Sequence, residues 1–214
     1  MKLTQLLERL DYTCLQGTMD REIGRVVADS RQAREDALFL CIKGAVSDGH
    51  NFAAQVAAQG TKVIVCQDPV EVPGDVTVIQ VEDSRYAMAV IAAAWYGYPG
   101  DQLKVIGITG TKGKTTTTYM VKSILENAGY KVGLIGTIET IIGDHVIPSA
   151  NTTPESLMVQ KYFREMLDAG CDCAVMEVSS QGLMLHRTAG FTFEIGIFTN
   201  IEPDHIGPNE HSSF

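Results

Sequence analysis

The chain has 214 residues, 45% of them apolar and 20% charged, a composition typical of a soluble globular protein with a sizeable core. Seventeen basic against 26 acidic residues give a formal charge of −9, which disfavours a nucleic-acid backbone or an anionic membrane surface as the main partner. No apolar run is long enough to cross a bilayer and no secretory signal opens the chain, so the sequence predicts a cytoplasmic protein without membrane insertion.

The first part of the chain is predicted to form a small α/β domain. A short amphipathic helix occupies residues 1–12, and residues 26–42 give a strand, a polar turn and a second strand that is apolar on both faces. A helix over residues 51–59, strands over 62–66 and 76–81, and an alanine-rich helix from residue 84 to about 96 follow. The breaker Gly-Tyr-Pro-Gly at 97–100 then predicts a boundary between domains 1–99 and 100–214.

The second domain alternates strands with long helices. The pattern predicts strands over residues 103–109, 132–138, 173–178 and 194–199, helices over 114–128 and about 153–169, and a hairpin around 143–144. Such alternation is typical of right-handed βαβ units and a parallel sheet. Because the chain reaches Phe214 without a closing helix, we expect it to be part of a longer protein.

The strongest functional signal is VIGITGTKGKTTTT at residues 105–118. A buried strand ends at Thr109, glycines allow a tight turn, and Lys114 with Thr115 opens a helix whose positive dipole end faces the same point. This pattern predicts a triphosphate site in which Lys114 meets the β and γ phosphates and Thr115 contacts Mg²⁺. Ile108 stands where the longer G-x-x-x-x-G-K-T motif has glycine, so the match is to a shorter variant. The alternative is a glycine-rich turn with an incidental lysine.

Polar residues that follow the other strands supply further candidates. Glu177 ends an apolar strand and is the expected Mg²⁺ ligand opposite Thr115, unless it only caps a turn. Arg187 could grip a carboxylate or phosphate, or be a solvated surface arginine. Residues 151–153 are substrate contacts or a simple helix cap, and His205 is a metal or phosphate contact or an unrelated histidine.

Two other features have plainer interpretations. The five cysteines are expected to be reduced and mostly buried, and zinc binding at Cys171 and Cys173 is disfavoured because no second ligand pair follows at a usable spacing. The clusters at residues 29–31 and 47–50 taken alone indicate turn chemistry.

Together and in this order, the segments resemble the Mur ligase superfamily, and most closely its MurE branch. DSR, LFLCIKG and SDGHNF resemble the N-terminal domain that holds the uridine diphosphate sugar, and GTKGKTT resembles the phosphate loop. ANTTP, EVSSQGL with HR behind it, and FTNIEPDH resemble the central domain. The resemblance therefore implies an α/β protein with a UDP-MurNAc-binding domain followed by part of an ATP-binding parallel-sheet domain.

The resemblance also implies roles for single residues. Phosphate-binding residues would be Gly110, Thr111, Lys112, Gly113, Lys114, Thr115 and Thr116. Among the metal ligands, Thr115 and Glu177 would hold Mg²⁺ and His205 would lie near a second metal. The catalytic set would be Lys114, Glu177 and His205. Substrate-binding residues would be Ser30, Asn151, Thr152, Thr153, Ser179 and Arg187.

The implied reaction belongs to peptidoglycan precursor synthesis. ATP phosphorylates the terminal carboxylate of UDP-MurNAc-L-Ala-D-Glu, and the amine of the third amino acid attacks the acyl phosphate. The identity of that amino acid, meso-diaminopimelate, lysine or another, stays open. The carbamylated lysine and the C-terminal domain of the family would follow Phe214, so this chain alone is expected to be inactive.

The sequence departs from the family pattern at two residues and in one longer segment. Three other functions compete with the one that the family implies. Lys112 replaces an asparagine, Gln181 replaces a histidine, and residues 204–211 differ from DHLDYHG, which weakens the role of His205. The competitors are a different Mur or folylpolyglutamate-type ligase, a P-loop kinase or NTPase, and a non-catalytic module that binds the UDP-sugar. Ser30 and the NTT segment favour a nucleotide-sugar ligase, and no Walker-B aspartate ends a strand.

Overall fold

The computed structural model describes residues 1–203, which divide into two compact units, Met1–Trp95 and the part from Tyr96 onward. Each unit combines helices with its own sheet, so the predicted α/β class is confirmed. The Gly-Tyr-Pro-Gly segment at residues 97–100 lies close behind the division. None of the helices within residues 1–203 is both long and apolar enough to span a membrane.

The first unit is built on a five-stranded sheet. Its strands are β1 (Thr13–Gln16), β2 (Arg25–Val27), β3 (Ala37–Leu40), β4 (Val63–Cys66) and β5 (Thr77–Gln80), in the order β1-β5-β4-β3-β2. Strands β2 to β5 pair in parallel, whereas β1 pairs antiparallel with β5. Its helices are α1 (Leu3–Leu6), α2 (Ala53–Ala58) and α3 (Ser84–Trp95), and short 3₁₀ turns span Ser30–Gln32 and Gly49–Phe52.

Two sequence expectations for this unit need correction. The N-terminal helix ends at Leu6 rather than near residue 12. Strand β1 was not predicted, because its residues are largely exposed and lack the apolar alternation of a half-buried strand. The expectation for β3 is confirmed: all four of its residues are buried. Because β2 to β5 run in the same direction, the segments that follow them leave from one edge of the sheet.

The second unit contains a six-stranded sheet. Its strands are β6 (Lys104–Thr109), β7 (Val132–Ile135), β8 (Glu139–Ile142), β9 (His145–Pro148), β10 (Cys173–Glu177) and β11 (Ile195–Phe198), in the order β11-β6-β10-β7-β8-β9. Its helices are α4 (Lys114–Asn127), α5 (Ser156–Asp168) and α6 (Ser180–Met184), with a 3₁₀ turn at Pro99–Asp101.

The second sheet is parallel where the site lies and antiparallel beyond it. Strands β11, β6, β10 and β7 are parallel, as predicted, and the hairpin β8–β9 is antiparallel to β7. The strand predicted over residues 132–138 ends at Ile135, because the chain turns back at Gly136 and Thr137 into β8. The short helix α6 was not predicted.

Aromatic packing supports this sheet beneath the site. Phe163 of α5 and Phe191 have ring centroids 4.9 Å apart, and Phe191 and Phe193 have centroids 5.1 Å apart, both edge to face. Edge-to-face pairs stabilise by about 0.5–1.5 kcal/mol beyond the area they bury. With Met176 and Val105, which are fully buried, these rings belong to one core that fixes β6 and β10, the two strands that lead into the site.

Candidate functional site

The loop between β6 and α4 begins at Gly110, the glycine of this site with the least room for a side chain. Gly110 has φ 133°, and a Cβ atom there would lie 2.1 Å from Thr199 Oγ1 and 2.8 Å from the carbonyl oxygen of Asn200. A side chain is therefore excluded both by the backbone conformation and by contact with the segment after β11. Helix α4 begins at Lys114, as the sequence predicted.

Lys114 bends back over its own loop. Its Nζ donates to the carbonyl oxygens of Gly110 at 2.7 Å and Thr111 at 3.1 Å, and the side chain is half-buried. The ammonium group and the N-terminal amides of α4 thus supply positive charge at the same loop. This combination suits an anion, and a phosphate oxygen is a stronger partner for the ammonium than a neutral carbonyl.

Asn200 and Thr199, just after β11, hold the outer part of the loop. Asn200 Oδ1 accepts from the amide of Lys112 at 3.0 Å, and Asn200 Nδ2 donates to the carbonyl oxygen of Lys112 at 3.1 Å. Thr199 Oγ1 donates to the same carbonyl oxygen at 2.8 Å. Sequence analysis noted this segment but did not assign these two residues to the site. Their place at the carboxyl end of a parallel strand was the signal for them.

The extra charge at Lys112 has its own partner. Lys112 Nζ lies 2.5 Å from Glu202 Oε2, and the two side chains are 69% and 51% exposed. An exposed ion pair of this kind contributes about 0–1 kcal/mol. The replacement of the usual asparagine therefore adds little net positive charge beside the loop.

Glu177, at the end of β10, is a buried carboxylate whose hydrogen-bond partners among residues 1–203 are neutral groups. It is 1% exposed, and it accepts hydrogen bonds from Thr115 Oγ1 at 2.9 Å, from the Thr137 amide at 2.9 Å and from Thr137 Oγ1 at 3.0 Å. Within residues 1–203 it has no ion-pair partner. A buried carboxylate is costly without a cation, and a carboxylate with neighbouring hydroxyls is the all-oxygen donor set that Mg²⁺ prefers. These residues therefore fit a magnesium ion.

Thr137 is a residue of the candidate site that the sequence interpretation missed. It follows β7 at the same sheet edge, directly after Gly136. A Cβ atom at Gly136 would lie 2.6 Å from Glu177 Oε1, so glycine lets this turn approach the carboxylate closely. The signal was the polar residue after a buried parallel strand, but the strand was predicted three residues too long.

The NTT segment contributes mainly from behind Glu177. Thr153 is 1% exposed, and its Oγ1 donates to the carbonyl oxygen of Glu177 at 3.0 Å and accepts from the Ser179 amide at 2.9 Å. Thr152 Oγ1 lies 3.1 Å from Thr137 Oγ1, and Asn151 is exposed. In this structure Thr153 supports the end of β10 and does not face solvent, whereas Asn151 and Thr152 remain accessible.

Arg187 is also engaged within the protein. Its Nη2 lies 2.7 Å from Glu155 Oε1 and its Nη1 donates to the carbonyl oxygen of Thr153 at 3.0 Å, and the side chain is 12% exposed. The Nε atom is buried and has no hydrogen-bond partner in the part of the chain that the structure describes. Arg187 therefore stabilises the segment that leads into α5. Its predicted contact with a ligand stays a prediction.

Ser30 lies in the first unit, in a turn that Asp29 organises. Asp29 accepts hydrogen bonds from the guanidinium and then from the backbone amide of Arg31, and these bonds lower the pKa of Asp29 to about 2. Ser30 follows β2 at the edge where the parallel strands of this unit end. The predicted metal contact His205 lies outside the described residues.

His50 belongs to a compact polar cluster at that edge of the first unit. Its Nδ1 lies 2.5 Å from Asp48 Oδ1, and its Nε2 accepts from the amides of Gln67 at 3.2 Å and Asp68 at 3.3 Å. Two amides that donate to Nε2 place a proton on Nδ1, so the ring links the segments at residues 48–50 and 67–68. The cluster Asp48, His50 and Asp68 has the spacing of metal ligands, but both ring nitrogens already have partners. The interpretation as turn chemistry fits this geometry.

Comparison with known proteins agrees with the geometry of both units. Residues 108–214 match the Mur ligase middle domain, and residues 22–96 match the Mur ligase family, catalytic domain. The chain belongs to the Mur ligase family. The middle-domain match covers Lys114, Glu177 and Asn200, so the residues that meet at the second sheet edge lie in one Mur ligase segment.

Relatives of this Mur ligase are considerably longer than the chain. UDP-N-acetylmuramoyl-L-alanyl-D-glutamate--2,6-diaminopimelate ligase 1 of Clostridium acetobutylicum is 51% identical over 207 residues, which are 96% of this chain and 43% of the relative. A solved UDP-N-acetylmuramoyl-L-alanyl-D-glutamate--2,6-diaminopimelate ligase shares the fold, with TM-score 0.78 and 19% identity over 97% of this chain and 42% of its own. MurF from Acinetobacter baumannii gives TM-score 0.56 and 29% identity over 84% and 35%.

Proposed function

We propose that this Mur ligase chain carries the UDP-MurNAc-binding and ATP-binding parts of an ATP-dependent amide-bond ligase. The observation that carries the proposal is the meeting of three features at one sheet edge. A glycine loop lies under the Lys114 ammonium, a helix N-terminus faces the loop, and the buried Glu177 carboxylate lies beside Thr115. Phosphate and a divalent cation are the ligands that satisfy these groups together.

The residues of the loop would bind the triphosphate of ATP. The amides of Gly110 and of residues 113–116 would donate to phosphate oxygens, whereas the amides of Thr111 and Lys112 already donate to Asn200. Lys114 would exchange its carbonyl partners for the β and γ phosphates. Glu177 and Thr115 would hold Mg²⁺, and Thr137 would keep the Glu177 carboxylate in place. When bound, Mg²⁺ supplies charge neutralisation for the phosphates. The protein's contribution is thus alignment and electrostatic stabilisation.

The proposed reaction has two steps. A carboxylate oxygen of the substrate attacks the γ-phosphorus of ATP, which forms an acyl phosphate and releases ADP. The amine nitrogen of the incoming amino acid then attacks the carbonyl carbon, inorganic phosphate leaves, and the nitrogen loses a proton to give the amide. Neither step needs a covalent bond to the protein, which agrees with a site built of lysine, hydroxyls and one carboxylate.

The proposed substrate is UDP-MurNAc-L-Ala-D-Glu. Two observations support it: the 51%-identical relative is named for this precursor, and Ser30 lies at a strand-end edge of a separate unit that could hold the nucleotide sugar. The same name supports 2,6-diaminopimelate as the incoming amine. The cytoplasmic location that the sequence predicted is part of the same proposal.

Calorimetric titration of the 214-residue chain tests the proposal. We expect saturable heat with Mg·ATP and, separately, with UDP-MurNAc-L-Ala-D-Glu, and Ser30→Ala should weaken the second titration alone. Ser123→Ala, on an exposed part of α4, is the matched control. Binding of ATP without the sugar nucleotide would favour a P-loop NTPase or a folylpolyglutamate-type ligase, and the reverse would favour a binding module. Neither binding would contradict the proposal.

Activity is measured on the full-length gene product, since the chain covers 43% of its relative. We expect ATP-dependent release of phosphate that requires both the muropeptide precursor and 2,6-diaminopimelate. Phosphate release with lysine in place of diaminopimelate would support the proposed ligase reaction but with lysine as the incoming amine. A protein that forms no amide on any such precursor would contradict the proposed reaction.

A further inference from the structure

Helix α4 contacts the sheet edge at a second point, through Tyr119. The Tyr119 hydroxyl donates to Glu139 Oε1 at 2.8 Å, and both side chains are half-buried. Burial, and then the hydrogen bond to Glu139, raise the pKa of Tyr119 to about 12. The phenol therefore stays protonated and keeps its donor role at every ordinary pH.

Glu139 closes the turn that carries Thr137. The amide of Gly136 donates to the carbonyl oxygen of Glu139 at 3.1 Å, so Thr137 lies inside a closed turn between β7 and β8. Thr137 in turn gives Glu177 two of its three hydrogen bonds. Tyr119 is thus bonded to the side chain of Glu139, the backbone of the same residue closes the turn, and Thr137 in that turn is bonded to the Glu177 carboxylate.

One face of α4 carries both Thr115, which bonds Glu177, and Tyr119, which bonds Glu139. Thr115 and Tyr119 are four residues apart on α4, so they lie one above the other on one face. Thr115 donates to Glu177 directly, while Tyr119 donates to Glu139, whose backbone carbonyl closes the turn that also donates to Glu177. We infer that Tyr119 and Glu139 are positioning residues that hold Thr137 against Glu177 and so set the affinity of the site for its cation. This inference rests on the proposed function, because it assumes that Glu177 binds Mg²⁺.

A positioning role for Tyr119 and Glu139 predicts effects on cation binding that simple packing does not. Without the phenol hydroxyl, the Glu139 side chain loses this donor and can turn toward water. The backbone bond from Gly136 to Glu139 remains, but the turn loses its link to α4 and can move more freely. The Glu177 carboxylate would then lose the fixed amide of Thr137 and occupy several positions. Groups that orient a metal ligand typically change metal affinity by about 10–100-fold, and a more distant pair should have a smaller effect.

The test uses four variants of the 214-residue chain: Tyr119→Phe, Glu139→Ala, Glu139→Gln and the double variant Tyr119→Phe/Glu139→Ala. The first readout is the Mg²⁺ concentration that half-saturates the enhancement of ATP binding. We expect Tyr119→Phe and Glu139→Ala each to raise it about threefold to tenfold. Glu139→Gln keeps a carbonyl acceptor and should stay within about twofold, and the double variant should not exceed either single one.

The second readout needs no ligand: hydrogen exchange of the Thr137 amide, which should be faster in Tyr119→Phe and Glu139→Ala than in the parent or Glu139→Gln. An unchanged Mg²⁺ midpoint in Tyr119→Phe, with or without a lower thermal midpoint, would show a structural role and overturn the inference. Equal losses of ATP affinity with and without Mg²⁺ would overturn it as well. A parent chain that binds no ATP would overturn the proposed function and the cation role together, and the exchange data would then report on the turn alone.

Discussion

Glu177→Gln separates the functional from the structural interpretation of the buried carboxylate. The side chain is 1% exposed and accepts three hydrogen bonds, of 2.9, 2.9 and 3.0 Å. Glutamine has the same shape without the charge. Its oxygen can accept from the Thr137 amide at the Oε1 position, and its NH₂ group can donate to the Thr115 and Thr137 hydroxyls, which rotate to accept.

The two energetic effects of this change on the cation-free protein nearly cancel. Hydrogen bonds to a charged group contribute about 1.5–3 kcal/mol each and neutral ones about 0.5–1.5, so three bonds weaken by roughly 3–4 kcal/mol in total. Removal of the charge recovers a desolvation cost of several kcal/mol. We therefore expect the free energy of unfolding to fall by no more than about 1 kcal/mol. Binding is different, because loss of the charge should lower the Mg²⁺-dependent part of ATP affinity at least about tenfold.

The assay pairs denaturant unfolding with ATP titrations in the presence and absence of Mg²⁺. Glu194→Gln, at an exposed position before β11, is the control for loss of one negative charge. A strongly destabilised Glu177→Gln protein whose ATP binding still responds to Mg²⁺ would refute the reasoning. Glu177 would then be a structural carboxylate that caps the turn after β7.

Three further predictions concern other parts of the structure. Gly136→Ala puts a Cβ atom 2.6 Å from Glu177 Oε1 and should lower Mg·ATP affinity about tenfold. Gly196→Ala, whose added Cβ would meet nothing within 4 Å among the described residues, should leave this affinity unchanged, and equal effects of the two variants would contradict the prediction. Burial raises the pKa of Cys41 to about 12, so iodoacetamide at pH 8 should label the exposed Cys14 first by mass spectrometry, and equal native labelling would be contrary evidence. Because the pKa of Tyr119 is raised from 10.0 to about 12, its contribution to the free energy of unfolding is complete below pH 10.0 and is lost toward about pH 12. The difference in the free energy of unfolding between the parent and Tyr119→Phe should therefore shrink across that window, and a constant difference would contradict this.

The parts of the site that local sequence specifies were predicted correctly in position. The apolar strand, the glycines and the helix-forming run predicted that α4 begins at Lys114, and the structure agrees. Glu177 likewise falls on the last residue of β10, because a single charge after an apolar run marks the end of a buried strand. In both cases neighbouring residues contain the whole signal.

The remaining parts depend on contacts between distant segments. Strand β1 exists because it pairs with β5, more than sixty residues away by its Thr13 to Gln80 register, and its own sequence is exposed. Thr137 and Asn200 join the site because β7 and β11 end at the same edge as β6, an order that propensity does not specify. Arg187 was expected to meet a ligand, and its Glu155 partner became apparent only in three dimensions.

The central claim is that the Lys114 ammonium over the glycine loop binds a triphosphate. Titration of the chain with Mg·ATP should show at least a tenfold loss of affinity for Lys114→Ala, on the order of 1.4 kcal/mol. Lys112→Ala removes an equal charge two residues away, but one that pairs with Glu202 at an exposed position, and should change affinity less than about threefold. Equal affinities for the parent and Lys114→Ala, or a larger loss in Lys112→Ala, would contradict the account.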